Sequence, residues 1–154
     1  MNASQLLAAL VLYAHGFFGA PRVLAEAVVE ASASTQVPVE LLAAVCARES
    51  RFGLDRRAQG RSCGVWRPVM EAVCSRNEGM CNGSLSHDQA FTASVILRTG
   101  LHRCGGSWAH AAAYFYSGTC GGPSSRIPHL GHQHPLDYGE RTVSVARGIR
   151  AFVR

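Results

Sequence analysis

The stretch VPVELLAAVCARESRFG, Val37 to Gly53, decides how the rest of the chain is read. Its apolar residues Leu42, Val45 and Cys46 recur at helical spacing, and Glu49 continues the series, so on a helix all four share one stripe. Pro38 suits the first turn of that helix and Gly53 suits its end. A carboxylate on an apolar stripe demands a reason, because unpaired buried charge is costly. Position alone leaves two structural readings open beside a functional one. Glu49 either pairs with Arg48 or Arg51, or sits just past the wet edge of the stripe.

Outward from this helix, 154 residues allow one domain with a real hydrophobic core. Nearly half of the chain is apolar (47%) and 16% is charged, which excludes a disordered or purely polar segment. The formal charge is +5, and all fifteen basic residues are arginine, which favours anionic partners. The arginines are scattered, only Arg56 and Arg57 are adjacent, and no aromatic stripe accompanies them, so no nucleic-acid partner is expected.

Six cysteines, at 46, 63, 74, 81, 104 and 120, form no CxxC pair, and their even number points to disulfides and an oxidising compartment. Cys74 with Cys81 and Cys104 with Cys120 each bracket a single loop or element and are expected to pair. Cys46 reads as a small apolar core residue, although six cysteines permit fifteen complete pairings.

Residues 1–20 carry the apolar run LLAALVLYAHGFFGA, too short and too interrupted for a stable membrane span. It is either a retained helix or a signal-like segment without a basic start, and the retained helix is favoured. After Pro21 a helix is expected with Val23, Ala27 and Glu30 at helical spacing. Further helices are expected over 66–74 with Pro68 in the first turn, over 87–102 with Phe91, Val95, Ile96 and Leu101 inward, and through WAHAAAYFYSG to Gly118. A last helix near Asp137 shows the stripe Tyr138, Thr142, Val145, Ile149 and Phe152. Glycine, asparagine and serine mark loops over 54–64 and 77–86, and strand signal is almost absent.

This order of helix, E-S-x-F, loop, G-x-x, helix, aromatic-x-S-G, loop and Tyr-led helix resembles the soluble lytic transglycosylase (SLT) domain of the lysozyme-like superfamily. LLAAVCARESRF, Leu41 to Phe52, matches that family's LLxAVxxxES-x-F block. Cys63-Gly64-Val65-Trp66 lies where GA-x-GLM is expected, with Arg67 at the usual glutamine. Phe115-Tyr116-Ser117-Gly118 lies at YNxG, with tyrosine in place of asparagine, and Tyr138-Gly-Glu-Arg resembles the last block. The resemblance covers 23–152. It implies a mainly α, lysozyme-like (goose-type/SLT) single domain over 21–154 with long irregular loops.

By resemblance, Glu49 is the catalytic acid. An acid that protonates a glycosidic oxygen must carry its proton, and apolar surroundings and the negative end of a helix both favour a neutral carboxyl. Most glycosidases need two carboxylates; this family implies one. It would cleave the β-1,4 bond between N-acetylmuramic acid and N-acetylglucosamine and leave a 1,6-anhydro ring, with no metal and no cofactor. A goose-type hydrolase would use a second acid, for which Asp55 is the nearest candidate, although a solvated partner of Arg56 or Arg57 is the favoured reading of Asp55. Ser50, Arg67, Tyr116 and Tyr138 are the candidate substrate-binding residues. Ser50 bonds backbone or sugar, Arg67 meets a stem-peptide carboxylate or solvent, and the tyrosines line the cleft or, for Tyr138, the core.

The histidine group His129, His132 and His134 raises a zinc hydrolase as a competitor, but its spacing matches no H-E-x-x-H helix and solvated loop histidines are preferred. The expected partners are peptidoglycan glycan strands. The expected place is outside the cytoplasm, in the periplasm or cell wall, with a phage virion or a cell-envelope secretion machine as carrier. The rivals are a goose-type muramidase and a wall-binding module with a degraded cleft.

Overall fold

The computed structural model describes residues 1–121 and 134–153. Among them the chain is mainly helical and contains no strand. Seven α-helices follow one another among the described residues: α1 (Ala3–Tyr13), α2 (Arg22–Thr35), α3 (Val39–Ser50), α4 (Arg67–Arg76), α5 (Leu85–Arg103), α6 (Trp108–Ser117) and α7 (Pro135–Ala151). Short 3-10 turns lie at His15–Phe17 and Arg56–Ala58.

The helix α3 is the hub. Every residue from Leu41 to Ala47 is buried, because α2, α5 and α7 all pack against it. A helix apolar on every side belongs inside a domain, and Ala43, Ala44 and Ala47 give its neighbours room to approach. The stripe through Leu42, Val45 and Cys46 is therefore one face of a fully buried rod rather than its only apolar face.

Around α3, the expected helices form with several faces rotated. On α2 the inward residues are Leu24, Ala25, Ala27, Val28 and Ala31, whereas Val23 and Glu30 face solvent. On α5 the buried line runs through Gln89, Ala90, Ala93, Leu97 and Gly100; Phe91 is also buried, but Val95, Ile96 and Leu101 are only half-buried. On α7, Tyr138, Thr142, Ala146 and Ile149 are inward and Phe152 is exposed. Small alanines share the seam on each helix with one or two fully buried aliphatic residues, Leu24 and Val28 on α2, Leu97 on α5 and Ile149 on α7.

Helix α1 starts at a reciprocal cap, in which Asn2 Oδ1 accepts from the Gln5 N–H and Gln5 Oε1 accepts from the Asn2 N–H. It buries Leu6, Ala9 and Leu10 completely against α2 and α7. No helix among the described residues is long and apolar enough to cross a membrane.

Three disulfides join Cys46 to Cys63, Cys74 to Cys81 and Cys104 to Cys120. The last two are the expected loop-bracketing pairs. Cys46 is not a lone apolar residue of the core: it ties α3 to the loop that follows it. Three disulfides suit an oxidising compartment.

Candidate active site

Glu49 lies in the last turn of α3, half-buried, where the helix ends abruptly. The N–H groups of Arg51 and Phe52 both reach back to the Cys46 carbonyl. Arg51 and Phe52 are left-handed (φ 51° and 55°), uncommon for residues with side chains. Such a conformation persists only where its surroundings enforce it. Phe52 is fully buried and holds the reversal in place. Ser50, 1% exposed, completes it. Its Oγ accepts the Gly53 N–H at 2.7 Å and lies 2.6 Å from the Ser62 carbonyl, to which it donates. Of the two roles open to Ser50, backbone bonding is the one the geometry carries.

The loop after α3 returns to Glu49 at Gly64. A β-carbon built on Gly64 would lie 2.5 Å from Glu49 Cγ and 2.7 Å from Oε2, closer than side-chain atoms approach, and φ there is +78°. Only glycine fits both demands. Besides the Ser50 bond to the Ser62 carbonyl, two restraints hold this loop down. The Cys46–Cys63 disulfide joins the residue before Gly64 to the helix turn before Glu49. Gln89, fully buried on α5, accepts from the N–H groups of Cys63 (3.3 Å) and Val65 (3.1 Å) and donates to the Val65 carbonyl (2.8 Å).

Across the site stands Tyr138, in the first turn of α7. Its hydroxyl donates to Glu49 Oε1 at 2.6 Å. Its ring is held between the Arg48 guanidinium, 4.5 Å from the ring centroid, and Tyr116, stacked at 4.4 Å with the planes 6° apart. Arg48 also donates to the Tyr138 carbonyl at 3.2 Å. Gly139 makes this alignment possible, since a β-carbon there would run into the Ala109 carbonyl of α6. With glycine at the crossing, α7 lies flush on α6 and its tyrosine comes level with Tyr116.

Burial holds the Tyr138 phenol protonated to well above its ordinary 10.0, and the adjacent Glu49 charge acts in the same direction. Tyr138 is therefore a fixed donor to Oε1. With that oxygen occupied as an acceptor, the proton of a neutral Glu49 belongs on Oε2, the oxygen beside Gly64.

Of the two structural readings of Glu49, the ion pair with a neighbouring arginine does not fit this arrangement. Arg48 is spent on Tyr138, and Arg51 donates to the Gly16 carbonyl at 3.3 Å. Among the described residues no arginine forms a salt bridge with Glu49.

Of the four residues expected to contact substrate, Tyr138 bonds Glu49, Tyr116 stacks on Tyr138, and Ser50 braces the helix end from inside. Arg67 lies apart, in the first turn of α4, highly exposed and paired with Glu71 one turn on. It borders a groove of about 690 Å³ with Arg61, Trp66 and Met70. Asp55 accepts from the Arg57 N–H at 3.0 Å and caps a 3-10 turn, which is the partner reading. That backbone bond holds its carboxyl below the ordinary 3.8. His129 and His132 lie outside the described residues; His134 caps α7, its Nδ1 accepting from the Leu136 N–H. Cys74, Cys81 and Asp88 cluster like metal ligands, but the two sulfurs are bonded to each other and Asp88 accepts from the Asn82 and Gly83 N–H groups.

Arg48 and Gln89 are the site residues that motif reading passes over. Arg48 falls at an unspecified position of the LLxAVxxxES-x-F block. Gln89 carries the signal that singled out Glu49, a polar side chain in a buried helical line, here with Ala93 and Leu97.

Compared with protein-family models, with curated proteins and with solved structures, the chain matches none in any of the three.

Proposed function

We propose that this chain is a peptidoglycan-cleaving lytic transglycosylase with a lysozyme-like (goose-type/SLT) fold. One observation carries the reading: a glutamate at the end of a buried helix, gripped on Oε1 by the Tyr138 phenol and pressed on its other side by a glycine loop. A carboxyl so fixed is oriented for proton transfer.

In the proposed reaction Glu49 gives its Oε2 proton to the oxygen linking N-acetylmuramic acid to N-acetylglucosamine. The C1–O bond breaks as the carbonyl oxygen of the muramic N-acetyl group bonds to C1. Tyr138 keeps its hydrogen bond to Oε1 throughout and stabilises the carboxylate that results. Glu49 then takes the proton of the C6 hydroxyl, O6 attacks C1, and the N-acetyl oxygen leaves. No water is consumed, and the acid is restored. The engagement of Asp55 with the Arg57 backbone favours this single-carboxyl route over one that needs a second acid to activate water.

The net positive charge suits an anionic wall polymer, and three disulfides suit work outside the cytoplasm. A phage virion or a cell-envelope secretion machine that needs a local opening in the wall is the proposed carrier. Digestion of purified peptidoglycan, with the products weighed by mass spectrometry, tests the reading. Anhydro-muropeptides, lighter by one water than hydrolysed products, are expected. Reducing-end muramic products would make it a hydrolase, and no cleavage at all would leave a wall-binding module.

A further inference from the structure

We propose that Gln89 is a positioning residue for Glu49, and that it acts by fixing the height of the Gly64 backbone above the carboxyl. The inference rests on the proposed acid–base role of Glu49 and extends it to a residue on another helix. Gln89 is fully buried, yet its amide is turned away from the rest of α5 and spent on the loop. Its oxygen takes two N–H groups, one on each side of Gly64, and its nitrogen supplies the Val65 carbonyl. The remaining hydrogen of the amide lies toward Met70 Sδ at 3.6 Å. Gly64 therefore hangs between two hydrogen bonds to one atom, and its α-carbon is the floor under Glu49 Oε2.

The chemistry of an amide is required here because the loop presents two donors and one acceptor. A leucine satisfies none of them. A carboxylate accepts from both N–H groups but sets its second oxygen against the Val65 carbonyl. A protonated carboxyl reproduces the amide pattern, since its O–H donates where the Gln89 nitrogen did. A Gln89→Glu variant should therefore carry a working loop at acid pH and lose it as the pH rises through the titration of the new side chain.

The test compares the wild type, Gln89→Leu and Gln89→Glu by steady-state kinetics on soluble peptidoglycan strands across pH. It also follows hydrogen exchange of the Cys63 and Val65 amides and the carbon-13 resonance of the Glu49 carboxyl at fixed pH. For Gln89→Leu we expect kcat about 10- to 100-fold lower, as displacement of a reacting group by about 1 Å costs, with KM within about twofold because the aromatic faces are untouched. Both amides should exchange faster and the Glu49 resonance should move. Gln89→Glu should approach wild-type kcat and amide protection at acid pH and fall towards Gln89→Leu at neutral pH. Wild-type kcat and an unmoved Glu49 resonance in Gln89→Leu would overturn the proposal. So would a Gln89→Glu variant whose defect is the same at every pH. If Gln89→Leu does not fold, the pH series of Gln89→Glu decides alone. If the wild type does not cleave peptidoglycan, the proposed function fails, while the exchange and carboxyl measurements still decide whether Gln89 positions Glu49.

Discussion

The phenol of Tyr138 and the carboxyl of Glu49, 89 residues apart in sequence, meet in a 2.6 Å hydrogen bond at the junction of α3 and α7. Replacing Tyr138 with phenylalanine keeps the ring between Arg48 and Tyr116 and removes only the donor. A hydrogen bond to a charged group contributes about 1.5–3 kcal/mol, so turnover should fall roughly 10- to 150-fold if most of it acts in the transition state. Kinetics of Tyr138→Phe on peptidoglycan measure this, and an unchanged rate would exclude the phenol from catalysis.

The same tyrosine predicts an alkaline limit to stability. Its phenol stays protonated in the fold to well above the ordinary 10.0, whereas in the unfolded chain it ionises near pH ~10. Above that pH the folded state binds more protons than the unfolded state. Its advantage, complete below pH ~10, therefore declines by up to about 1.4 kcal/mol per pH unit until the folded phenol itself titrates. Thermal melts between neutral and strongly alkaline pH should show this decline in the wild type and a shallower one in Tyr138→Phe.

Glu49→Gln keeps shape and volume but moves no proton. The proposed route has no other carboxyl to take over, so activity should drop by at least the 10²–10⁴ typical of lost acid–base help, towards the upper end. The circular dichroism and melting temperature should stay close to wild type. Asp55→Asn should leave turnover within about threefold, because Asp55 acts on the backbone of its own turn. An inactive Asp55→Asn protein, or an active Glu49→Gln protein, would contradict the single-carboxyl route.

Reduction should silence the site before it unfolds the domain. A disulfide closing a loop of this length, 17 residues in sequence separation for Cys46–Cys63, stabilises by about 3 kcal/mol in the chain-entropy account. Breaking it also frees the loop that carries Gly64. Activity assayed against increasing reductant should fall at concentrations that leave the far-ultraviolet dichroism intact. Free thiols counted at each step assign the loss, and full activity with all six cysteines reduced would refute the link.

Much of the helical frame is legible in the chain, because Pro21, Pro38, Pro68 and Gly118 mark starts and stops and the runs between them have helical spacing. The faces are less legible. On α5 the bulky Val95 and Ile96 attract the eye, but close helix packing selects the small Ala90, Ala93 and Gly100 for the seam. That rotation is also why Gln89 escapes notice: the polar residue stands out only once the correct line is drawn. Glu49 is legible for the opposite reason, since Leu42, Val45 and Cys46 lie on a helix buried from every side. The pairing of Cys46 with Cys63 has no local signature, because a loop, not an element, brings the two together.

Gly64 and Gly139 give the site a one-sided tolerance. At each, the missing β-carbon leaves a gap that a neighbour already fills, Glu49 in one case and the Ala109 carbonyl in the other. Most positions in a protein can drift towards larger or smaller residues, and opposite errors can compensate. Glycine has no smaller substitute, so any change at these two positions adds volume. At Gly64 the addition pushes the carboxyl away from its loop, and at Gly139 it lifts the tyrosine helix off its neighbour. Both displacements lengthen the approach between Glu49 and the groups that orient it, and neither can offset the other. The spacing of the Glu49 carboxyl is thus a lower bound fixed by two hydrogen atoms, from which variation at these positions leads only outward.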